Sequence, residues 1–237
     1  MGAFLKGKIM LPITKLLTTF NRTVRSNRSI SYIVIHWVGG VSSAKNNAAY
    51  FKNNKLNSSA HYFVDDTTIY QSVEDKDVAW HCGTTGVYYH SKCRNANSIG
   101  IEMCLDRENH ISETTIANTT ELVQYLMSKY SIPENNVIRH YDVTHKLCPV
   151  PYIDTSKWAD LKAVLVGTKK INSSNTTATM TVIAKSGLNV RKTYSANSKK
   201  LGALPYGIKV EVQKLGKKWA RITYKGEKGY VYKQYLK

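Results

Sequence analysis

A histidine and a cysteine eight positions apart, His140 and Cys148, lie in the stretch RHYDVTHKLCP from Arg139 to Pro149. Imidazole and thiolate are the ligands that a borderline-soft ion such as zinc prefers, and a cysteine that binds one is held deprotonated. Two ligands do not complete a site. The best third donor is His36, a polar residue closing the apolar run of SYIVIHWVGG. Three protein ligands would leave one zinc position open, the arrangement of a hydrolytic rather than a structural site. Glu102 is the second chemical signal, a lone carboxylate amid Ile99, Ile101, Met103 and Leu105. Burying it is costly without a partner or a task, and partial burial raises its pKa toward the working pH, as suits a general base.

The elements that must position these groups alternate between strands and helices. Ser31 to Ile35 reads as a buried central strand ending at His36, followed by a Gly39-Gly40 loop and a helix from Ala44 to Asn53 capped by Ser43. Ala60 to Val64 and Thr68 to Ser72 form a hairpin around Asp65-Asp66, and Ser98 to Leu105 is a further strand carrying Glu102. Ile116, Leu122, Val123, Leu126 and Met127 recur at helical spacing between Ser112 and Tyr130, and Pro133 stops that helix. Val137-Ile138 is a short strand that delivers His140, and Trp158 to Val166 is a closing helix. The pattern predicts an α/β domain, a mixed sheet flanked by helices, over residues 1–166, with 1–29 as an irregular basic lead-in.

Residues 167–178, polar and short of apolar side chains, read as a linker. Beyond it, over 179–237, the runs TMTVIA, LNVRK, KVEVQ, WARITY and KGYVYK between glycines predict a small all-β barrel. Charge divides the same way: from Thr168 onward there are 16 basic and 2 acidic residues, in a chain with 34 basic and 16 acidic overall. So basic a module suits an anionic partner such as nucleic acid, a membrane surface or an acidic wall polymer. Four scattered cysteines do not make a disulfide framework. His81, Cys82, His90 and Cys93 match no common zinc-ligand spacing, although a Cys82–Cys93 bridge is compatible with the sequence. The N-terminal stretch lacks an unbroken apolar core and a cleavage site, so synthesis without an export signal is expected, and no stretch has transmembrane length.

Residues from about 30 to 166 resemble the zinc-dependent N-acetylmuramoyl-L-alanine amidases of type 2, relatives of the peptidoglycan recognition proteins, through IVIHW, SSAHYFV with TIYQ, VAWHCG, NSIGIEMC and RHYDVTHKLCP in that order. Residues 180–237 resemble bacterial SH3-type wall-binding domains through SGLNVR, KKWARITYKGEKGYV and the terminal YL. The resemblance implies zinc held by His36, His140 and Cys148, with Glu102 beside the reacting water and Lys146 near the developing oxyanion. It implies substrate contact or support from His61 and His81. Trp80 or Trp37 could stack on sugar or peptide. Some relatives carry a catalytic tyrosine where this chain has Ala60, which leaves the proton transfers to Glu102, and His145 stands where many have glycine. The expected activity is hydrolysis of the amide between N-acetylmuramic acid and L-alanine, acting on peptidoglycan and its anionic polymers after release from a bacterial host, as endolysins do. Neither nucleic-acid binding nor membrane insertion is expected. The competing expectations are a peptidoglycan-binding protein without catalysis and a nucleic-acid-binding barrel, the latter kept open by the tyrosines interleaved with lysines.

Overall fold

Alternation of side chains along two neighbouring strands decides where chemistry can sit. In a computed structural model describing residues 10–83, 87–169, 177–214 and 218–237, β1 is Ile13–Lys15, β2 Arg22–Thr23, β3 Tyr32–Val41, β4 Tyr62–Val64, β5 Ile69–Gln71, β6 Val78–Ala79, β7 Ser98–Leu105 and β8 Val137–Arg139. Helix α1 spans Ala44–Asn53, α2 Glu113–Tyr130, α3 His140–Thr144 and α4 Thr155–Leu165. Among the described residues β1, β5, β4, β7, β3 and β8 form one six-stranded sheet in that order. It is mixed: β3 runs parallel to β7 and β8, and only the β4–β5 hairpin is antiparallel. Ile33, Ile35, Ile99, Ile101 and Met103 point to one face, where Leu122, Val123 and Leu126 of α2 and Trp158, Leu161 and Leu165 of α4 cover them. Residues of opposite parity, His36 on β3 and Glu102 on β7, are register partners on the other face. The apolar face thus supplies stability and the opposite face is free to carry polar groups.

Local signals account for the element ends. Ser43 accepts the N–H of Asn46 and Ser112 that of Thr115, each capping its helix. Asp65 Oδ1 accepts from the N–H groups of Thr67 and Thr68 and sets the hairpin turn. The lead-in departs from expectation: β1 pairs with β5 at the edge of the main sheet, and β2 pairs with β6 in a separate two-stranded sheet. Short polar strands carry little periodicity, and their partners lie more than fifty residues away. Strand β3 likewise runs through the expected Gly39-Gly40 loop to Val41, because a register shift after Trp37 and a left-handed Gly39 (φ 70°) let it continue beside β7.

The chain divides into two compact units at residues 171/172. The linker expected over 167–178 lies in its middle part, 170–176, outside the described residues; at its end Thr177 already begins a strand. In the second unit β9 (Thr177–Thr181), β10 (Leu188–Arg191), β11 (Lys200–Leu204), β12 (Lys209–Lys214), β13 (Trp219–Tyr224) and β14 (Glu227–Tyr232) form an antiparallel all-β sheet in the order β11, β10, β14, β13, β12, β9. Val182, Val190, Val212, Ile222, Val231 and Leu236 build its core. Strand β11 was not expected; its KLGAL run is too weakly apolar to stand out from a loop. No helix among the described residues is long and apolar enough to cross a membrane.

Candidate metal centre

Three elements converge on one point. His36 comes from β3, His140 from the first position of α3, and Cys148 from the loop after it. That loop folds back because Tyr141 N–H donates to the Cys148 carbonyl (2.9 Å). Arg139, buried at the head of α3, braces the turn: it pairs with Asp142 at 2.7 Å and donates to the Tyr152 and Ile153 carbonyls at 2.8 Å. One donor atom each of His36, His140 and Cys148 lies within 4.8 Å of the others, all three residues being buried. Cys148 Sγ stands 3.7 Å from His36 Nδ1.

The hydrogen-bond chain behind His36 fixes which nitrogen faces the site. Ser98 Oγ donates to the Arg94 carbonyl (2.7 Å), so it must accept from His81 Nε2–H (3.1 Å). His81 Nδ1 is then an acceptor and takes the Nε2–H of His36 at 3.1 Å. His36 is left with a bare Nδ1 lone pair beside Cys148, the tautomer a metal ligand needs. Both ring nitrogens of His140 are buried without a partner among the described residues. Orphaned buried donors and acceptors call for an explanation, and a cation bound by all three residues supplies one. The residues present therefore fit zinc in number, softness and spacing.

Electrostatics point the same way. Burial first, then the neighbouring His140 and His81, hold His36 well below the ordinary histidine range, and burial with Lys146 lowers His140 to about 3, so both rings are neutral. Burial and the nearby Glu102 push the Cys148 thiol up to about 12, so a thiolate here requires a cation. Glu102 lies across the strand pair from His36, its Oε2 out of solvent and without a partner among the described residues. Burial raises it to about 8, against the pull of Lys146. His36, Glu102, His140, Lys146 and Cys148 all line one cleft of about 290 Å³, together with Trp37, Trp80 and His81.

The histidines expected to meet substrate divide. His81 lines the cleft, and its two nitrogens are engaged by His36 and Ser98. His61 lies deeper: it is 0% exposed, accepts the Gly100 N–H (3.0 Å), and faces Arg28 and the Asp77 carbonyl, which suits the support expected of it more than substrate contact. Trp80 borders the cleft with its indole N–H given to Thr23. Of His81, Cys82, His90 and Cys93, the two cysteines do meet, as free thiols with Cys82 in side-chain contact with Cys93, whereas His90 Nδ1 accepts the Cys93 N–H and does not join them as a ligand set. Ser98 and Arg139 were missed, since a serine opening a strand and an arginine before a histidine carry no distinguishing signal alone. Gly100 was also missed. A Cβ there would lie 2.5 Å from the His81 ring. Gly100→Ala is expected to push His81 off His36 and weaken zinc binding by about 10–100-fold, read by competition with a chromogenic chelator.

Comparison with known proteins followed the same division of the chain. The family described as N-acetylmuramoyl-L-alanine amidase (Amidase_2) matches residues 26–151, and the bacterial SH3 domain family matches 186–237. The chain is similar to a probable N-acetylmuramoyl-L-alanine amidase of Bacillus licheniformis, 32% identical over 68% of this chain and 50% of that protein. It is also similar to the amidase CwlL of the same organism, 30% identical over 80% of this chain and 56% of that protein. The chain thus spans about half the length of the curated relatives it matches. Among solved structures, the catalytic domain of XlyA superposes with a TM-score of 0.56 at 30% identity, covering 66% of this chain and all of that one. The PlyG catalytic domain gives 0.59 at 25% identity, over 70% of this chain and 100% of that one.

Proposed function

Since the chain belongs to the N-acetylmuramoyl-L-alanine amidase family, we propose that it hydrolyses the amide joining N-acetylmuramic acid to the L-alanine of the peptidoglycan stem peptide. The observation that carries this reading is the buried His36–His140–Cys148 cluster with the raised carboxyl of Glu102 in the same cleft. His36, His140 and Cys148 would hold a zinc ion, with His81 and Ser98 fixing the His36 ring. When bound, zinc supplies Lewis acidity and a water acidic enough to react near neutral pH. Glu102 takes the proton from the attacking water and returns it to the departing L-alanine nitrogen, so that glycan and peptide separate. A carboxyl lifted toward neutrality can do both. The Lys146 ammonium, at the cleft rim, offsets charge growing on the scissile carbonyl oxygen. Burial of both sides of the sheet keeps the reacting groups in a poorly solvated site, where that charge is felt strongly.

The bacterial SH3 domain, matched over 186–237, would tether the enzyme to the wall, and its surplus of lysines suits anionic wall polymers. Tethering raises the local concentration of substrate without altering the chemistry. The likeness to a solved endolysin from Bacillus subtilis supports action on the wall of a bacterial host after release. The test is digestion of purified walls. New L-alanine amino groups without new reducing sugar ends support the amidase; zinc and wall binding without either product would establish a recognition protein instead.

Lys146 gives a separate expected outcome. It lowers the Glu102 pKa, so removing its charge must raise that pKa. Lys146→Met should move the acid limb of the kcat/KM profile to higher pH and reduce kcat by about 10²–10³ at the optimum. An unshifted limb would place the ammonium too far from the carboxyl to matter.

A further inference from the structure

Beside the cleft stands a set of aromatic rings that the amide chemistry does not use. Tyr89 stacks on His145 with centroids 3.6 Å apart and planes 10° from parallel, and His145 stacks on Tyr141 at 5.2 Å and 21°. The Arg139 guanidinium lies over Tyr141 (5.1 Å) and also over the core residue Trp158 (5.4 Å). The series runs from the hydrophobic core out to a tyrosine that is 60% exposed. Tyr89 is anchored by its backbone as well, its N–H donating to the Val143 carbonyl of α3 at 2.9 Å.

His145 holds its place in the left-handed region (φ 59°), where a side chain is disfavoured. The position is the C-cap of α3, whose N–H donates to the Tyr141 carbonyl at 2.9 Å, so the helix end sets the backbone while the two rings hold the side chain. The next two residues, Lys146 and Leu147, line the cleft, and Leu147 is itself 64% exposed. The middle ring of the stack thus immediately precedes two residues of the cleft lining, and none of the three rings belongs to the candidate metal ligands.

We propose that Tyr89, held rigid by His145 and Tyr141, is a saccharide subsite that stacks on a sugar of the glycan strand next to the N-acetylmuramoyl unit being cleaved. The inference rests on the amidase reading for its substrate. A polymer held at one bond must lie across the rim on its way out of the cleft. The C–H face of a pyranose is apolar and flat, matched to an exposed aromatic plane, while its hydroxyls stay in water. A plate already fixed by stacking loses little freedom when the sugar arrives. A stem peptide, flexible and without a broad apolar face, gains less from a flat ring.

The experiment compares full-length wild type, Tyr89→Ala, Tyr89→Trp and His145→Gly on long glycan strands bearing stem peptides and on a minimal N-acetylmuramoyl peptide. For Tyr89→Ala the ratio of kcat/KM on the long strand to that on the minimal substrate should fall about five-fold, through KM and not kcat. Tyr89→Trp should restore it. His145→Gly relieves the backbone strain yet removes the middle ring, and should lose part of the ratio. An unchanged ratio in Tyr89→Ala, or a loss in kcat shared by both substrates, overturns the subsite. A second arm measures binding of a peptide-free N-acetylglucosamine tetramer. If wild type cleaves neither substrate yet binds the tetramer in a Tyr89-dependent way, the amidase reading fails and the saccharide site stands. If Tyr89→Ala binds the tetramer as well as wild type does, the site is refuted.

Discussion

Glu102→Gln is expected to lower kcat by about 10²–10⁴ while zinc content stays at the wild-type level. The substitution keeps the volume of a side chain whose Oε2 is buried and unpartnered among the described residues, but removes its capacity to carry a proton. Proton counting gives the same residue a second readout. In the metal-free chain Glu102 titrates at about 8 and Cys148 at about 12, so both are mostly protonated at pH 7. A dication in the cleft favours the charged form of each. Zinc binding at pH 7 should therefore release about two protons, one from the thiol and most of one from the carboxyl. Glu102→Gln should release about one. Calorimetry in buffers of different ionisation enthalpy measures the difference. Equal release by both proteins would mean that the carboxyl does not sense the metal. The sign for stability follows from the same shift. Because the folded chain holds this proton more tightly than the unfolded one, the metal-free fold loses stability as pH rises from the ordinary glutamate range toward 8, and Glu102→Gln should flatten that slope.

Cys148→Ser should abolish both zinc retention and hydrolysis. Serine oxygen is a harder and far less acidic donor than a thiol, so the third ligand disappears with little change in shape. The consequence for folding can be sized. At zinc about 1,000-fold above Kd, binding stabilises the native state by about 4 kcal/mol. For a unit of this length each kcal/mol corresponds to roughly 2–4 °C in Tm, so chelation or Cys148→Ser should lower the N-terminal unit's transition by roughly 8–16 °C. The second unit has its own core, and its transition should not move. Scanning calorimetry with and without chelator would show the shift. A wild-type transition indifferent to chelator, with activity intact, would remove zinc from the account.

Much of the fold was legible from the chain alone because its cause is local. The helical spacing of Leu122, Val123 and Leu126, the caps at Ser43 and Ser112, and the β-branched run before His36 each act within one element. Helices α1 and α2 and strand β7 accordingly lie where the pattern puts them. The second unit's turns and β-type runs were equally plain, apart from the weak KLGAL strand. The lead-in strands β1 and β2 were not legible, because their pairing depends on partners distant in the sequence and not on their own composition.

The candidate site divides along the same physical line. Ligand type and placement near strand ends selected His36, His140 and Cys148, while Glu102 stood out as a lone carboxylate in an apolar strand whose role the family resemblance then supplied. Which histidine turns toward the cleft and which turns away is a matter of packing. Gly100 leaves room for the His81 ring behind His36, whereas the same glycine's N–H draws His61 into the interior. The Ser98–His81–His36 hydrogen-bond chain, the Arg139 brace under α3 and the stacked Tyr89 and His145 join residues from separate stretches. Sequence by itself determined the chemistry available to this protein, because ligand softness and acidity belong to side chains. Tertiary structure decided protonation, tautomer and exposure, because these belong to the surroundings that only the folded chain assembles.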